Sequence, residues 1–178
     1  MGRELRQVPP NWEHPVVERR SGRDGFQPMR NERFEDAAAA WKAKFAAWER
    51  GERPNYCDAD DAKMEFWEWS GGPPEREYYR PWRDEEATWW QVWETVSEGT
   101  PVTPPFATKK ELVDYLVANG DFWDQSRRKE GRTSIPCDPW SRKAAESFVH
   151  GAGWAPSLVV DSKGVRSGVE AMHDGGPG

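Results

Sequence analysis

The sequence predicts an α+β fold: a small aromatic-cored domain with about four helices, a small antiparallel sheet or hairpin, and an extended N-terminal arm. Three observations support this class. The 178-residue chain is long enough to bury one core. Aromatic residues make up 13% of it, and each buried ring removes roughly 150–250 Å² from water, so few rings replace many aliphatic side chains. Helical and alternating apolar patterns both occur along the chain.

Residues 1–33 are predicted to form the extended arm, because prolines and glycines are scattered among its charges. A short strand is expected at Val16-Val17, and Trp12 and Phe26 are expected to dock the arm. Residues 34–172 are predicted to form the single α+β domain, and residues 173–178 a disordered tail.

The strongest helix signal covers Phe34 to Arg50, which contains four consecutive alanines and ends at a glycine. An apolar stripe at helical spacing predicts core packing of Trp41, Phe45 and Trp48. Asp60 or Asp61 is expected to cap a short helix that runs through Phe66 and Trp67. Residues 71–74, Gly-Gly-Pro-Pro, end that helix, and residues 75–86 carry no clear signal.

Thr88 to Val96 is predicted to be a strand covered on both faces, because tryptophans occupy both alternating sets of positions. A capping box at Thr108 and Glu111 then opens a helix that Asn119-Gly120 closes. The polar segment 121–137 is expected to be a mobile loop. Asp138-Pro139 predicts the start of a further helix, ending at His150-Gly151. A β-hairpin is expected from Ser157–Val160, a turn, and Val165–Val169.

Charge is distributed unevenly. Residues 1–33 hold seven arginines against five carboxylates, residues 34–98 hold eight basic against sixteen acidic residues, and residues 99–178 are balanced. Direct nucleic-acid binding is disfavoured, because phosphate contacts need clustered Lys and Arg. The acidic middle fits either a solvated surface or a basic partner protein.

No cofactor, metal site or membrane span is predicted. Cys57 and Cys137 lack zinc spacing, and whether they pair is left open. Neither a leader nor an apolar run near 18 residues is present, which indicates a cytoplasmic protein. Asp58, Asp60 and Asp61 offer carboxylates for a cation, but helix capping is the better interpretation.

The candidate binding residues surround one turn, Ser97-Glu98-Gly99-Thr100-Pro101, where Gly and Pro fix the backbone and polar side chains are displayed. They are Glu94, Ser97, Glu98 and Thr100, together with Trp82, Asp84, Glu85 and Glu86. A general acid/base pair of Glu94 and Glu98 lacks an interpretable nucleophile or His nearby, so a structural role is preferred.

Three stretches carry a family resemblance: Gly2 to Pro9 with Trp12, His14 and Pro15; Trp93 to Phe106 with Ala107, Thr108, Glu111 and Leu112; and Ala144 to Val149 with Gly153 to Ser157 and Ser167 to Ala171. Together they resemble a family of small proteins encoded by tailed bacteriophages, and they bracket nearly the whole chain. Some similar phage proteins carry a cysteine-rich, zinc-finger-like insert that this chain lacks. The resemblance implies no metal role and transfers no activity.

The resemblance implies a phage-derived protein in the cytoplasm of an infected bacterium. With the acidic balance and aromatic excess, it suggests a non-enzymatic accessory protein that binds and modulates a host or phage protein, for example in counter-defence against CRISPR or restriction. An alternative is an enzyme or accessory factor in phage nucleic-acid metabolism, with a site at Glu94, Glu98 and Thr100. A virion or assembly component is a third hypothesis, and the oligomeric state stays open.

Overall fold

The chain folds into two compact units of mixed helix and sheet, which confirms the α+β class. One unit comprises Met1–Pro28 with Trp82–Gly178, and the other comprises Met29–Pro81. The computed structural model describes residues 2–18, 24–96, 98–132, 135–162 and 164–174. The observed division differs from the predicted one, because the first 28 residues belong with the C-terminal part of the chain.

The larger unit is built on a four-stranded antiparallel sheet in the order β7-β6-β1-β8. Its strands are β1 (Gly2–Val8), β6 (Trp89–Glu94), β7 (Thr100–Pro101) and β8 (Trp154–Pro156). The first residues of the predicted arm therefore form an interior strand, with Leu5 opposite Val92. Pattern reasoning missed this strand because three of its residues, Arg3, Glu4 and Arg6, are charged, and two of them, Arg3 and Arg6, are nevertheless buried.

The core of this unit lies between the sheet and two helices, α3 (Lys109–Asn119) and α5 (Arg142–His150). Its fully buried members include Val92, Leu112, Leu116 and Val149. The opposite face of β6 is covered as well, since Trp93 has no exposed surface. The expected two-sided burial of this strand is confirmed.

Side-chain hydrogen bonds at the helix N-termini determine where α3 and α5 begin. The Thr108 hydroxyl accepts from the Glu111 N–H at 3.1 Å, and the Glu111 carboxylate accepts from the Thr108 N–H at 2.9 Å, as predicted. The predicted start of α5 at Asp138-Pro139 is wrong. Ser141 caps that helix through the Ala144 N–H, and the Glu170 carboxylate accepts hydrogen bonds from the Ser141 backbone and hydroxyl.

The segment expected to be a loop contains α4 (Phe122–Lys129), so that prediction is corrected. Its basic last turn suits the negative end of the helix dipole. The predicted C-terminal hairpin is confirmed as β9 (Leu158–Asp161) and β10 (Gly164–Ser167). Helix α6 (Gly168–Asp174) follows it and takes in the first two residues of the predicted tail, whereas residues 175–178 lie outside the described part.

The strand expected at Val16-Val17 is β2 (Val16–Glu18), which pairs with β3 (Asp24–Phe26). Trp12 and Phe26 also contact the rest of the larger unit, as predicted for the docking of this region. Trp12 packs edge-on against Trp82 at 4.5 Å between ring centroids, and Phe26 stacks on Phe122 at 6.4 Å.

The smaller unit is built around an aromatic cluster centred on Phe66. Its elements are β4 (Arg30–Arg33), α1 (Phe34–Glu49), α2 (Phe66–Ser70) and β5 (Tyr79–Arg80). Helix α1 presents the predicted stripe to the buried Phe66 ring, with centroid distances of 5.2 to 5.8 Å. Core packing is confirmed for Trp48, whereas Trp41 is half-buried and Phe45 is 41% exposed. The predicted cap of α2 at Asp60 or Asp61 is wrong, because α2 starts separately after Glu65. The carboxylate that accepts backbone hydrogen bonds in the preceding segment belongs to Asp58, and the donors are the N–H groups of Asp60 and Asp61.

In the described part of the chain, no helix is long and apolar enough to cross a membrane. Cys57 and Cys137 are both free thiols.

A buried ion pair joins the central strand to α4. The Arg3 Nε donates to Asp121 Oδ2 at 2.5 Å, and both side chains are almost fully buried. Asp121 also caps α4, because its other oxygen accepts from the Asp124 N–H at 2.9 Å. Removing either partner leaves a buried charge without compensation.

Asp121→Ala is therefore expected to lower the free energy of unfolding by about 3–5 kcal/mol, because it strands the Arg3 guanidinium and removes the α4 cap. Asp114→Ala, which breaks exposed ion pairs to Lys110 and Arg142, should have a far smaller effect. Urea denaturation of the three proteins measures both changes. Equal destabilisation by the two variants would contradict the assigned role of Asp121.

Candidate functional site

An open cavity of about 440 Å³ in the larger unit is the candidate site, and we call it the aromatic groove. It lies where the β2–β3 hairpin, the ends of β6 and β7, and α4 meet. Its lining residues are Val16, Asp24, Gly25, Phe26, Glu94, Thr100, Pro101, Val102, Phe122, Trp123 and Ser126. This volume falls within the usual range of ligand-binding clefts.

The groove has two apolar walls. Val16, which is 57% exposed, and Phe26 come from the hairpin, while Phe122 and Trp123, which is 44% exposed, come from α4. Phe26 and Phe122 stack with nearly parallel rings and so join the two walls. Exposed aromatic side chains of this kind are typical of binding surfaces.

Glu94 at the end of β6 joins three elements. One carboxylate oxygen accepts from the Thr100 hydroxyl of β7 at 2.8 Å, and the other accepts from the Trp123 indole N–H of α4 at 2.8 Å. Glu94 therefore fixes the orientation of the Trp123 ring. Among the described lining residues, the charged side chains are Asp24 and Glu94, so the groove is acidic.

His14 supports the hairpin wall. Its ring packs edge-on against Phe26 at 5.5 Å and against Trp93 at 4.9 Å. The Trp12 indole N–H donates to Nδ1 at 3.3 Å, and Nε2 lies 2.7 Å from the Gln27 carbonyl oxygen. Only the neutral ring with its proton on Nε2 satisfies both contacts. Burial lowers the pKa of His14 below 6.5; the Gln27 contact opposes this, and the Arg6 charge adds to it.

A pair of buried carboxyl groups supports the α4 wall. Asp124 accepts hydrogen bonds from the Asp121 N–H and the Trp140 indole N–H, both at 3.1 Å. Burial, and next the charge of Asp121, raise the pKa of Asp124 to about 6. Gly120 precedes the pair with a positive φ of 68°, and a Cβ there would lie 2.8 Å from the Asp124 carboxylate. The first turn of α4 therefore requires glycine at this position.

The turn from β6 to β7 is held by Arg6. This buried guanidinium lies 4.3 Å from the Trp93 ring centroid, forms an ion pair with Glu4, and donates to the Glu98 carbonyl at 3.2 Å. At Gly99, with φ of 100°, a Cβ would approach the Arg6 guanidinium to 2.7 Å. This close approach explains the glycine in the turn.

The structure brings together only some of the predicted site residues. Glu94 and Thr100 line the groove. Glu98 lies in the adjacent turn and is half-buried, and Ser97 lies outside the described residues. Thr100 is buried beneath Glu94 rather than displayed, because it is paired with that residue in the sheet.

The other predicted residues lie away from the groove lining. Trp82 is buried against Trp12, so it forms core instead of a recognition surface. Asp84, Glu85 and Glu86 form an exposed 3-10 turn in which the Glu86 carboxylate accepts from the Arg83 N–H at 2.7 Å. Sequence reasoning missed Phe122 and Trp123. The Asp121 and Asp124 pair at capping spacing was the available signal.

No set of three or more His, Cys, Asp or Glu residues in the described ranges is arranged to hold a metal ion. No protein-family model, curated protein or solved structure matches this chain.

His14 gives the fold a pH dependence. Its folded pKa is depressed, so the unfolded chain binds the proton more readily, and this contribution to stability is lost as pH falls below about 6.5. We expect wild type to lose stability relative to His14→Gln, which has no proton to gain, as pH falls from about 7 to about 5. Denaturant titrations across that range measure the difference, and a constant difference would contradict the neutral ring.

Asp124 acts in the opposite direction. Its folded pKa of about 6 lies above the ordinary 3.8, so its stabilising contribution is complete below about pH 4 and is lost as pH rises through about 6. The loss should be on the order of 2–3 kcal/mol, and Asp124→Asn should abolish it. The exposed Asp114→Asn, whose wild-type pKa is lowered by hydrogen bonds from Lys110 and Arg142, serves as a control. An unchanged pH slope in Asp124→Asn would exclude this assignment.

Proposed function

We propose that this chain is a phage accessory protein that binds a host protein through the aromatic groove. Counter-defence, by inhibition of a CRISPR or restriction system, is the most concrete form of this function. The single observation that carries the binding role is the exposed aromatic wall at Trp123, held in place by the Glu94 carboxylate. A side chain exposed to solvent yet fixed in orientation loses little conformational entropy when it binds.

The charge of the groove supports a partner with a basic surface. Asp24 and Glu94 lie among its lining, and no Lys or Arg is found among the described lining residues. Residues 34–98 carry twice as many acidic as basic side chains. A partner segment that inserts an apolar side chain next to Lys or Arg would complement this surface. Proteins that handle nucleic acids display such basic surfaces.

The phage context is supported by the sequence resemblance at the opening, the middle block and the C-terminal block. The middle block encodes the groove floor, since it contains Glu94, Thr100 and Pro101. The resemblance and the proposed binding surface thus meet at the same residues.

Trp123→Ala should abolish partner recovery in affinity purification from bacteria that express the protein, with binding weakened about 30-fold or more, as expected for a central aromatic contact. Trp154→Ala removes an equally large side chain that is 49% exposed on β8 and does not line the groove. It is the matched control and should retain the partner. Phage plating efficiency on defence-positive and defence-negative hosts then tests counter-defence.

Two outcomes would contradict the proposal. One is recovery of the same partners with wild type and Trp123→Ala. The other is the absence of any stable partner together with unchanged plating on every defence-positive host. Retention by Trp123→Ala with loss by Trp154→Ala would move the interface to the β8 surface.

A further inference from the structure

The smaller unit contains a second open cavity, of about 530 Å³, which we call the ladder groove. It lies between the C-terminal half of α1, the segment that follows it, and α2. Its lining residues are Lys44, Ala47, Trp48, Glu52, Arg53, Pro54, Tyr56, Phe66, Trp69 and Ser70. All of them belong to the smaller unit, so this groove is separate from the aromatic groove.

The floor of the ladder groove is a series of stacked groups. The Arg53 guanidinium covers the Trp48 ring at 3.7 Å from its centroid, Trp69 stacks on Trp48 at 4.7 Å, and Tyr56 stacks on Trp69 at 6.0 Å. The planes of the last two rings differ by 21°. Tyr56 is 78% exposed, so most of its surface is open to solvent. This geometry places the largely exposed Tyr56 ring at the edge of an open trough.

The trough offers hydrogen-bond donors to a ligand. Within the described part of the chain, the Trp69 indole N–H has no acceptor, and its nitrogen is not fully buried. In the same residues, Lys44 has no carboxylate partner. The one lining carboxylate, Glu52, accepts a hydrogen bond from Arg50 Nε at 2.6 Å. Arg53 donates to the Trp48 and Glu52 carbonyls. A ligand that supplies hydrogen-bond acceptors would complement the Trp69 indole N–H and the Lys44 ammonium.

We propose that the ladder groove binds a proline-rich peptide in the polyproline II conformation. Proline has no backbone N–H, and a polyproline II helix leaves its carbonyl oxygens without internal partners. Such a ligand displays acceptors without donors, and its pyrrolidine rings pack on flat aromatic side chains in the known mode of proline recognition. Its restricted backbone also lowers the entropy lost on binding.

The surrounding charge disfavours the other ligand that stacks on aromatic rings, a single-stranded nucleic acid. The smaller unit holds nine Lys and Arg against twelve Asp and Glu. Asp58, Asp60 and Asp61 follow closely after Tyr56; the first two are exposed and Asp61 is half-buried. A phosphate backbone requires a positive groove, whereas a polyproline segment carries no charge to repel.

Isothermal titration of the full chain with a polyproline peptide of about twelve residues, roughly four turns of the helix, tests the proposal. A glycine-serine peptide and an oligothymidylate of the same length are the comparison ligands. We expect saturable micromolar binding of polyproline, weakened about tenfold by Tyr56→Ala and about threefold or more by Trp69→Phe, which keeps a ring but removes the N–H. Trp67→Ala removes a neighbouring ring that is 61% exposed and does not line the groove, and it should bind as wild type does.

Three results would overturn the proposal: no saturable polyproline binding, tighter binding of oligothymidylate than of polyproline, or equal affinity of wild type and Tyr56→Ala. Because Tyr56 is exposed, its truncation should leave the fold intact, and circular dichroism checks this. The Trp123→Ala protein should bind polyproline normally. The proposed function and this second site can therefore fail independently.

Discussion

The rest of the structure depends on two buried arginines of β1, Arg3 and Arg6, because each guanidinium needs hydrogen-bond acceptors. A guanidinium remains charged inside a protein, and a buried charge without a partner costs several kcal/mol. Arg3 meets this need with Asp121 and the Ser157 hydroxyl, so the start of α4 and the approach to β9 lie beside the central strand. Arg6 meets it with Glu4, the Trp93 face and the Glu98 carbonyl, which positions the β6–β7 turn. These contacts position the α4 wall of the aromatic groove and the turn that adjoins its floor.

Local signals predicted much of the fold. The capping box of α3, the alanine-rich α1 and the C-terminal hairpin each depend on interactions between residues close in sequence, so the pattern alone locates them. The interior strand β1 and helix α4 depend on distant partners. Arg3 can be buried because Asp121, more than a hundred residues later in the sequence, lies beside it in the fold. Similarly, α5 begins at Ser141 because Glu170 from a later helix fixes that cap.

The candidate site was predictable to a similar degree. Glu94 and Thr100 were identified because a turn of Gly and Pro marked that end of the strand. Their partner Trp123 was missed, since the segment that carries it has too few apolar residues to show a helical period. His14 lies among three aromatic rings, two of which, Phe26 and Trp93, are distant from it in sequence. Trp82 and the acidic run after it were assigned to recognition from composition, which does not separate core from surface.

The position of β1 has a consequence for how the chain is made. This strand precedes both of its neighbours along the chain. Arg3 pairs with Glu94 on one side and with Ala155 on the other, so the second neighbour is synthesised long after β1. The sheet cannot close until β8 has been synthesised, and its long-range pairings favour slow folding. During that wait the strand is an exposed β-segment, the kind that aggregates. The charges of Arg3, Glu4 and Arg6 oppose aggregation of the strand while it is unpaired.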